Sequence, residues 1–249
     1  MCTLVAAVRS WPGHPLVIAA NRDERLARPA VPPFLWPGPP RFVAPRDELA
    51  GGSWLGLNEH GVFVGVTNRA GALRDPSRRS RGALVIDALS APSAAALHQT
   101  LASLDHGAYN PFHLLYADRE TAHVTWCDGE TVHRADLGAG LHVVTEQSTG
   151  TAHADTTPRA SFIRDAWQRD VAGRELSVAR IEALLREHAG HPLEGTCVHA
   201  DAVGYGTRSS AVLVLGDAAG DVTMLWAEGK PCVTPFEDQR RLLEQLAAG

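Results

Sequence analysis

The second residue of the chain is a cysteine, and the run Asn21-Arg22-Asp23-Glu24 follows about twenty positions later. Removal of Met1 makes Cys2 the N-terminal residue, so that a free α-amine and a thiol share one residue. An α-amine has a reference pKa of about 7.7–8.0 and can accept the thiol proton directly or through a water. An unperturbed thiol near 8.5 is only about 3% thiolate at pH 7, and a guanidinium that lowers it by about 1.5 units raises that fraction to about half. Arg22 is the candidate guanidinium, and Asp23 or Glu24 the acceptor that holds the α-ammonium. Acyl transfer also needs donors aimed at a developing oxyanion, for which an asparagine side chain on a neighbouring strand would serve. From position alone, Cys2 is a small buried hydrophobe at the start of a strand and the tetrapeptide a solvated turn.

The elements that must position these groups are legible as apolar patterning. Two apolar runs, Leu4 to Val8 and Leu16 to Ala20, flank a turn and predict a β-hairpin. Strand neighbours point to opposite faces, so Asn21 with Asp23, or Arg22 with Glu24, share a face, and a bulge is needed to aim both Arg22 and Asp23 at Cys2. Residues 25 to 47 are dense in proline, which excludes helix interior and central strand and predicts an ordered loop packed by Phe34, Trp36 and Phe42. Residues 51 to 68 predict a second hairpin around Asn58-Glu59-His60-Gly61. Residues 78 to 104 predict two helices broken near Ala91-Pro92, preceded by the arginine-rich run Arg74 to Arg81. That run reads as a solvated loop or as a phosphate- or carboxylate-binding segment at a helix N-terminus.

Short strands are then predicted at 112–117, 122–126, 130–133 and 141–145, helices at 158–171 and 177–188, strands at 209–215 and 222–226, and a helix at 235–247. Strands and helices come in blocks with no βαβ alternation. The pattern predicts an α+β fold with largely antiparallel sheets, forming one domain over residues 1–249.

The chain has 249 residues, 45% hydrophobic and 20% charged, with net charge −5. No global field draws it to nucleic acid or anionic lipid. The absence of a long apolar run and of a leader predicts no membrane span and a cytoplasmic location. Cys2, Cys127, Cys197 and Cys232 form no CxxC pair, which predicts reduced thiols. Cys197-Val198-His199-Ala200-Asp201 sets three ligand types at alternate positions but has no further partner at motif spacing, so neither metal nor cofactor is expected.

Met-Cys-Thr-Leu, Asn21-Arg22-Asp23-Glu24, Gly51-Gly52-Ser53-Trp54-Leu55-Gly56, Thr67-Asn68-Arg69, Asn110-Pro111-Phe112 and Tyr205-Gly206-Thr207-Arg208-Ser209-Ser210 occur in this order. Together they resemble the NRDE family, also called the transport and Golgi organisation protein 2 family, over essentially the whole chain. The resemblance implies an N-terminal nucleophile hydrolase fold, a four-layer αββα sandwich. Similarity to the penicillin V acylase and bile-salt hydrolase group implies Cys2 as nucleophile, Arg22 and Asp23 as its electrostatic partners, Asn68 as oxyanion donor and Arg208 as the late arginine. Asn21, Glu24, Trp54 and Glu146 are the candidate substrate contacts. Two departures stand out: Arg22 and Asp23 are adjacent where that group separates them, and Glu146 falls where a second asparagine is expected.

The implied activity is hydrolysis or acyl transfer on a small-molecule amide or acyl substrate through a Cys2 thioester. The alternative, from resemblance to eukaryotic members associated with haem trafficking and lipid or Golgi homeostasis, is a non-catalytic haem, lipid or metabolite carrier on the same fold. The oligomeric state is left open.

Overall fold

A computed structural model describes residues 2–71, 74–148 and 157–248. The chain opens with β1 (Cys2–Trp11) and β2 (His14–Arg25), the expected hairpin. Four strands follow, β3 (Ala30–Trp36), β4 (Phe42–Asp47), β5 (Leu55–Asn58) and β6 (Phe63–Asn68). Helices α1 (Arg81–Ala88) and α2 (Ala94–Thr100) lead to β7 (Phe112–Ala117), β8 (Ala122–Cys127), β9 (Val132–Asp136) and β10 (Gly140–Val144). Helices α3 (Pro158–Asp170) and α4 (Val178–Leu185) precede β11 (His199–Ala200), β12 (Tyr205–Leu215), β13 (Val222–Ala227), β14 (Glu237–Asp238) and α5 (Arg240–Ala247).

The strands form two seven-stranded antiparallel sheets. One runs β10-β1-β2-β12-β13-β14 with β11 beside β12, and the other runs β3 to β9 in sequence order. Alternation along the first hairpin explains the layering. Leu4, Ala6, Val8, Leu16, Ile18 and Ala20 turn toward the second sheet, while Val5, Ala7, Val17 and Ala19 pack on Ile163 and Trp167 of α3 and Ile181 and Leu184 of α4. Both faces of these strands are buried, which is why they read as continuous apolar runs rather than alternating ones. Helices α1 and α2 cover the far side of the second sheet. The order is the expected αββα. Among the described residues no helix is long and apolar enough to cross a membrane.

Residues 25–47 depart from expectation. They are not a loop: β3 and β4 make a hairpin. Its outer strand β3 is the edge of its sheet, and its ladder shifts register between Val31 and Phe34, around Pro32 and Pro33. An edge with a bulge is where a strand tolerates proline. The C-terminal helix starts later than expected, at Arg240, because Glu237–Asp238 pair with β13.

Close approaches fix how the sheets meet. A Cβ on Gly65 of β6 would lie 3.1 Å from Leu4 Cδ2 of β1. A Cβ on Gly52 would lie 2.2 Å from the Gly82 carbonyl carbon in α1. That obstacle is backbone and cannot rotate away, so Gly52→Ala should cost about 1–3 kcal/mol, read as a lowered urea midpoint with an unchanged m-value.

Candidate active site

Cys2 stands directly opposite Arg22 in the β1–β2 ladder, so both side chains leave the same face, toward the second sheet. They lie on a cleft of about 720 Å³ between the ends of the two sheets. Asn68 at the end of β6, Trp54 and Glu24 also line it. Among the described residues nothing engages the Asn68 side-chain amide, which leaves it available to a ligand in the cleft.

The tetrapeptide splits between two faces as strand geometry requires. Arg22 and Glu24 lie on the cleft side. Asn21 points the other way, its Nδ2 donating to the Leu185 carbonyl at 3.0 Å and the Thr196 carbonyl at 2.8 Å. Asp23 also points away from Cys2: its carboxylate accepts from Arg159 of α3 at 2.5 Å and from the Thr207 hydroxyl at 2.7 Å. Glu146 joins that cluster, 3.5 Å from Arg159, beside a separate cavity of about 130 Å³. Asn21, Asp23 and Glu146 thus anchor the end of β2 to the helical layer and do not reach the cleft with their polar groups.

β12 carries the bulge that β2 lacks. Thr207 pairs with Asp23 and Ser209 with Arg22, leaving Arg208 as the extra residue. Its guanidinium is ion-paired with Glu228, which also accepts from Trp226 Nε1 at 2.9 Å. Arg208 is not among the residues that line the cleft. Its connection is indirect, since Trp226 stacks obliquely on Trp54 with centroids 6.0 Å apart.

The expected activation of the thiol by Arg22 is outweighed. Burial pushes the Cys2 thiol up from its ordinary value, and the Arg22 charge only partly offsets this. Arg22 is itself committed to Asp47 of β4, which also accepts from Arg28 Nε at 2.5 Å and from the Ala50 N–H at 2.8 Å. Burial by itself would raise the Asp47 carboxyl. The Arg28 and Ala50 hydrogen bonds and the two arginine charges overcome it and hold the group below the usual carboxylate range. A depressed folded-state pKa stabilises the fold above the unfolded value, about 3.9, and that stability is lost as pH falls through the lower folded value. Asp47→Asn should therefore lower the melting temperature at pH 7, and the difference from wild type should shrink as pH falls below the unfolded value and through the lowered folded one.

The arginine-rich run forms one wall of this cleft. Asn110 holds it: its Oδ1 accepts from the Asp75 N–H at 2.7 Å and its Nδ2 donates to the Asp75 carbonyl at 2.8 Å. Ser80 caps α1 by accepting from the Gly82 N–H. Arg81 then lies in the cleft, donating to the Pro111 carbonyl at 2.9 Å, and among the described residues it forms no ion pair. Arg81 belongs to the arginine-rich run read from the sequence as a solvated loop or an anion-binding segment, and here it lies in the cleft; Asp47 and Asn110 are site residues that the sequence did not assign. The Asn110-Pro111-Phe112 motif was the available signal for the last of them.

Two clusters have metal-ligand composition, His188, Cys197, His199 and Cys232 in one, and His98, His123 and Asp136 in the other. Neither lies on the cleft.

The family model described as Transport and Golgi organisation 2 matches residues 1–225. The Transport and Golgi organization 2 homolog of Mus musculus is 31% identical over 110 residues, which is 43% of this chain and 40% of that protein. The Homo sapiens homolog is 32% identical over the same shares. The match spans well under two-thirds of either relative. Among solved structures, a variant of the conjugated bile acid hydrolase from Clostridium perfringens superposes with a TM-score of 0.63 at 13% identity, covering 100% of this chain and 95% of that one. A Caenorhabditis elegans ortholog of N-acylethanolamine-hydrolyzing acid amidase gives 0.58 at 15% identity, over 88% and 95%. Penicillin V acylase from Agrobacterium tumefaciens gives 0.53 at 13%, over 98% and 88%. At these identities the likeness shows a shared fold, that of N-terminal nucleophile hydrolases.

Proposed function

The chain belongs to the Transport and Golgi organisation 2 family, and from the chemistry of its cleft we propose that it is an amide hydrolase or acyltransferase whose nucleophile is Cys2, freed by removal of Met1. Met1 lies outside the described residues. One observation carries the reading: a thiol, the guanidinium opposite it in the ladder and an unengaged asparagine amide share one cleft. The solved proteins of the same fold are named as a hydrolase, an amidase and an acylase, which supports it.

Burial pushes the thiol up, so in this reading the α-amine of Cys2 acts as a general base during attack rather than finding a preformed thiolate. The amine takes the thiol proton as sulfur bonds to the amide carbonyl carbon. Asn68 Nδ2 donates to the oxyanion, and Arg22 stabilises the charge developing on sulfur. The C–N bond then breaks, the proton passes from the α-ammonium to the leaving nitrogen, and an amine departs, leaving a thioester. Water adds to the thioester carbon and gives its proton to the α-amine. The C–S bond breaks, the thiol regains a proton and a carboxylic acid leaves. An amine in place of water gives acyl transfer.

Seven arginines line the cleft among the described residues against three carboxylates, those of Glu24, Asp47 and Asp75, since the Asp23 carboxylate is turned away, and Arg22 and Arg28 share one of those acids. That excess suits a substrate carrying a carboxylate or phosphate, with Arg81 as its partner. Arg81→Gln should raise KM about tenfold for an anionic amide, the loss of a charge-assisted hydrogen bond, and leave KM for a neutral analogue nearly unchanged.

Intact-mass measurement of the purified protein tests the premise. The expected mass lacks Met1, and quantitative retention of Met1 overturns the reading. Titration with haem separates it from a carrier function: a Soret band unchanged in Cys2→Ala, with no amide turnover by the wild type, contradicts the hydrolase.

A further inference from the structure

Cys197 and His199 are the visible half of a side-chain cluster that the fold completes from a distance. Cys197 Sγ lies 3.7 Å from Cys232 Sγ and 3.5 Å from His199 Nε2, and His199 Nε2 lies 3.1 Å from Cys232 Sγ. The ring of His188 sits 4.7 Å from that of His199, and one ligand atom from each of the four residues falls within 4.8 Å of all the others. Bonds of about 2.3 Å to sulfur and about 2.0 Å to nitrogen around a tetrahedral ion put two sulfurs about 3.8 Å apart and a sulfur and a nitrogen about 3.5 Å apart. The sulfur pair and the Cys197–His199 pair match those separations without rearrangement. We propose that His188, Cys197, His199 and Cys232 bind a structural zinc ion.

The donor set selects the metal. Two thiolates and two imidazoles in four-coordinate geometry suit zinc, and four protein ligands leave no open position for catalysis. On binding, each thiol releases its proton to solvent. The two thiolates then balance the dication, so the filled site is neutral and can stay half-buried. The scaffold is built independently of the ion. The Cys197 N–H donates to the Glu187 carbonyl at 2.9 Å, setting it beside His188. Cys232 lies in a turn closed by the Val233 and Thr234 N–H groups on the Lys230 carbonyl. Asp201 Oδ2 stands 3.9 Å from His199 Nδ1, the ring nitrogen turned away from the sulfurs, beyond hydrogen-bond length but on the side where an outer carboxylate would orient a ligand imidazole.

A metal here would stiffen the strand that carries the active-site arginine. Val198, between the two ligands, exchanges hydrogen bonds with Thr207: its N–H donates to the Thr207 hydroxyl, and its carbonyl accepts from the Thr207 N–H. Thr207 in turn donates to Asp23, the neighbour of Arg22. The inference does not depend on the chemistry proposed for Cys2.

Metal analysis of the full chain, purified without chelator and dialysed against zinc and then metal-free buffer, tests it. The expected result is one zinc per chain. Cobalt substitution should give the thiolate-to-metal charge-transfer absorption of a tetrahedral site. Cys197→Ser/Cys232→Ser should lose both signals, and His188→Ala, altering the most exposed ligand, should keep the fold and weaken zinc binding at least tenfold. Wild-type protein without zinc above background overturns the proposal. So does zinc retained at full affinity by the His188→Ala chain, or an intact mass short by two hydrogens from a Cys197–Cys232 disulfide.

Discussion

Replacing Arg159 with methionine should destabilise the protein by about 3–5 kcal/mol, the cost of stranding a buried charge. The Arg159 and Asp23 side chains are 3% and 0% exposed, and Glu146 on the other side of the guanidinium is 9% exposed. Removing the cation leaves two buried carboxylates without the opposite charge that offsets their desolvation. Urea denaturation should show the full loss at pH 7. Adding Asp23→Leu to Arg159→Met should recover part of the stability, because a packed apolar pair does not carry the desolvation cost. A loss below about 1 kcal/mol for Arg159→Met would show that this cluster is not what ties β2 to α3.

The second large effect concerns Asn68. If its amide donates to the oxyanion, Asn68→Ala should lower kcat by about 10²- to 10³-fold with little change in KM. Stability should hardly move, since among the described residues nothing bonds this side chain. A proportionate fall in kcat and thermal stability would instead mark Asn68 as structural. Asn68→Asp separates the two: it preserves shape, replaces a donor by an acceptor and should be at least as inactive as alanine.

These two residues illustrate how much the sequence could disclose. Asn68 sits at the end of a strand announced by its apolar alternation, and β2 ends where its polar run begins, so the approach of Cys2, Arg22 and Asn68 follows from local patterning plus the αββα layering. The pairing of Asp23 with Arg159 does not. It joins residues 136 positions apart, and Arg159 reads in the sequence only as the second residue of an amphipathic helix. The loss of Arg208 from the site has a similar cause, for a single bulge at Thr207–Ser209 decides where its side chain goes. Residues 25–47 form a hairpin rather than a loop because proline restricts the middle of a sheet more than its edge, and Pro32 and Pro33 sit at the bulge of the edge strand β3. Cys232 and His188 carry no motif spacing toward Cys197 at all, and only tertiary structure sets them side by side.

Mass spectrometry after exposure to an electrophilic acyl probe tests the role of Cys2 most directly. The expected result is a single adduct on wild-type protein, mapped to an N-terminal Cys2 that has lost Met1, slowly released by water or hydroxylamine as a thioester, and absent from Cys2→Ala. Equal labelling of wild type and Cys2→Ala, or an adduct confined to Cys127, Cys197 or Cys232, would contradict it.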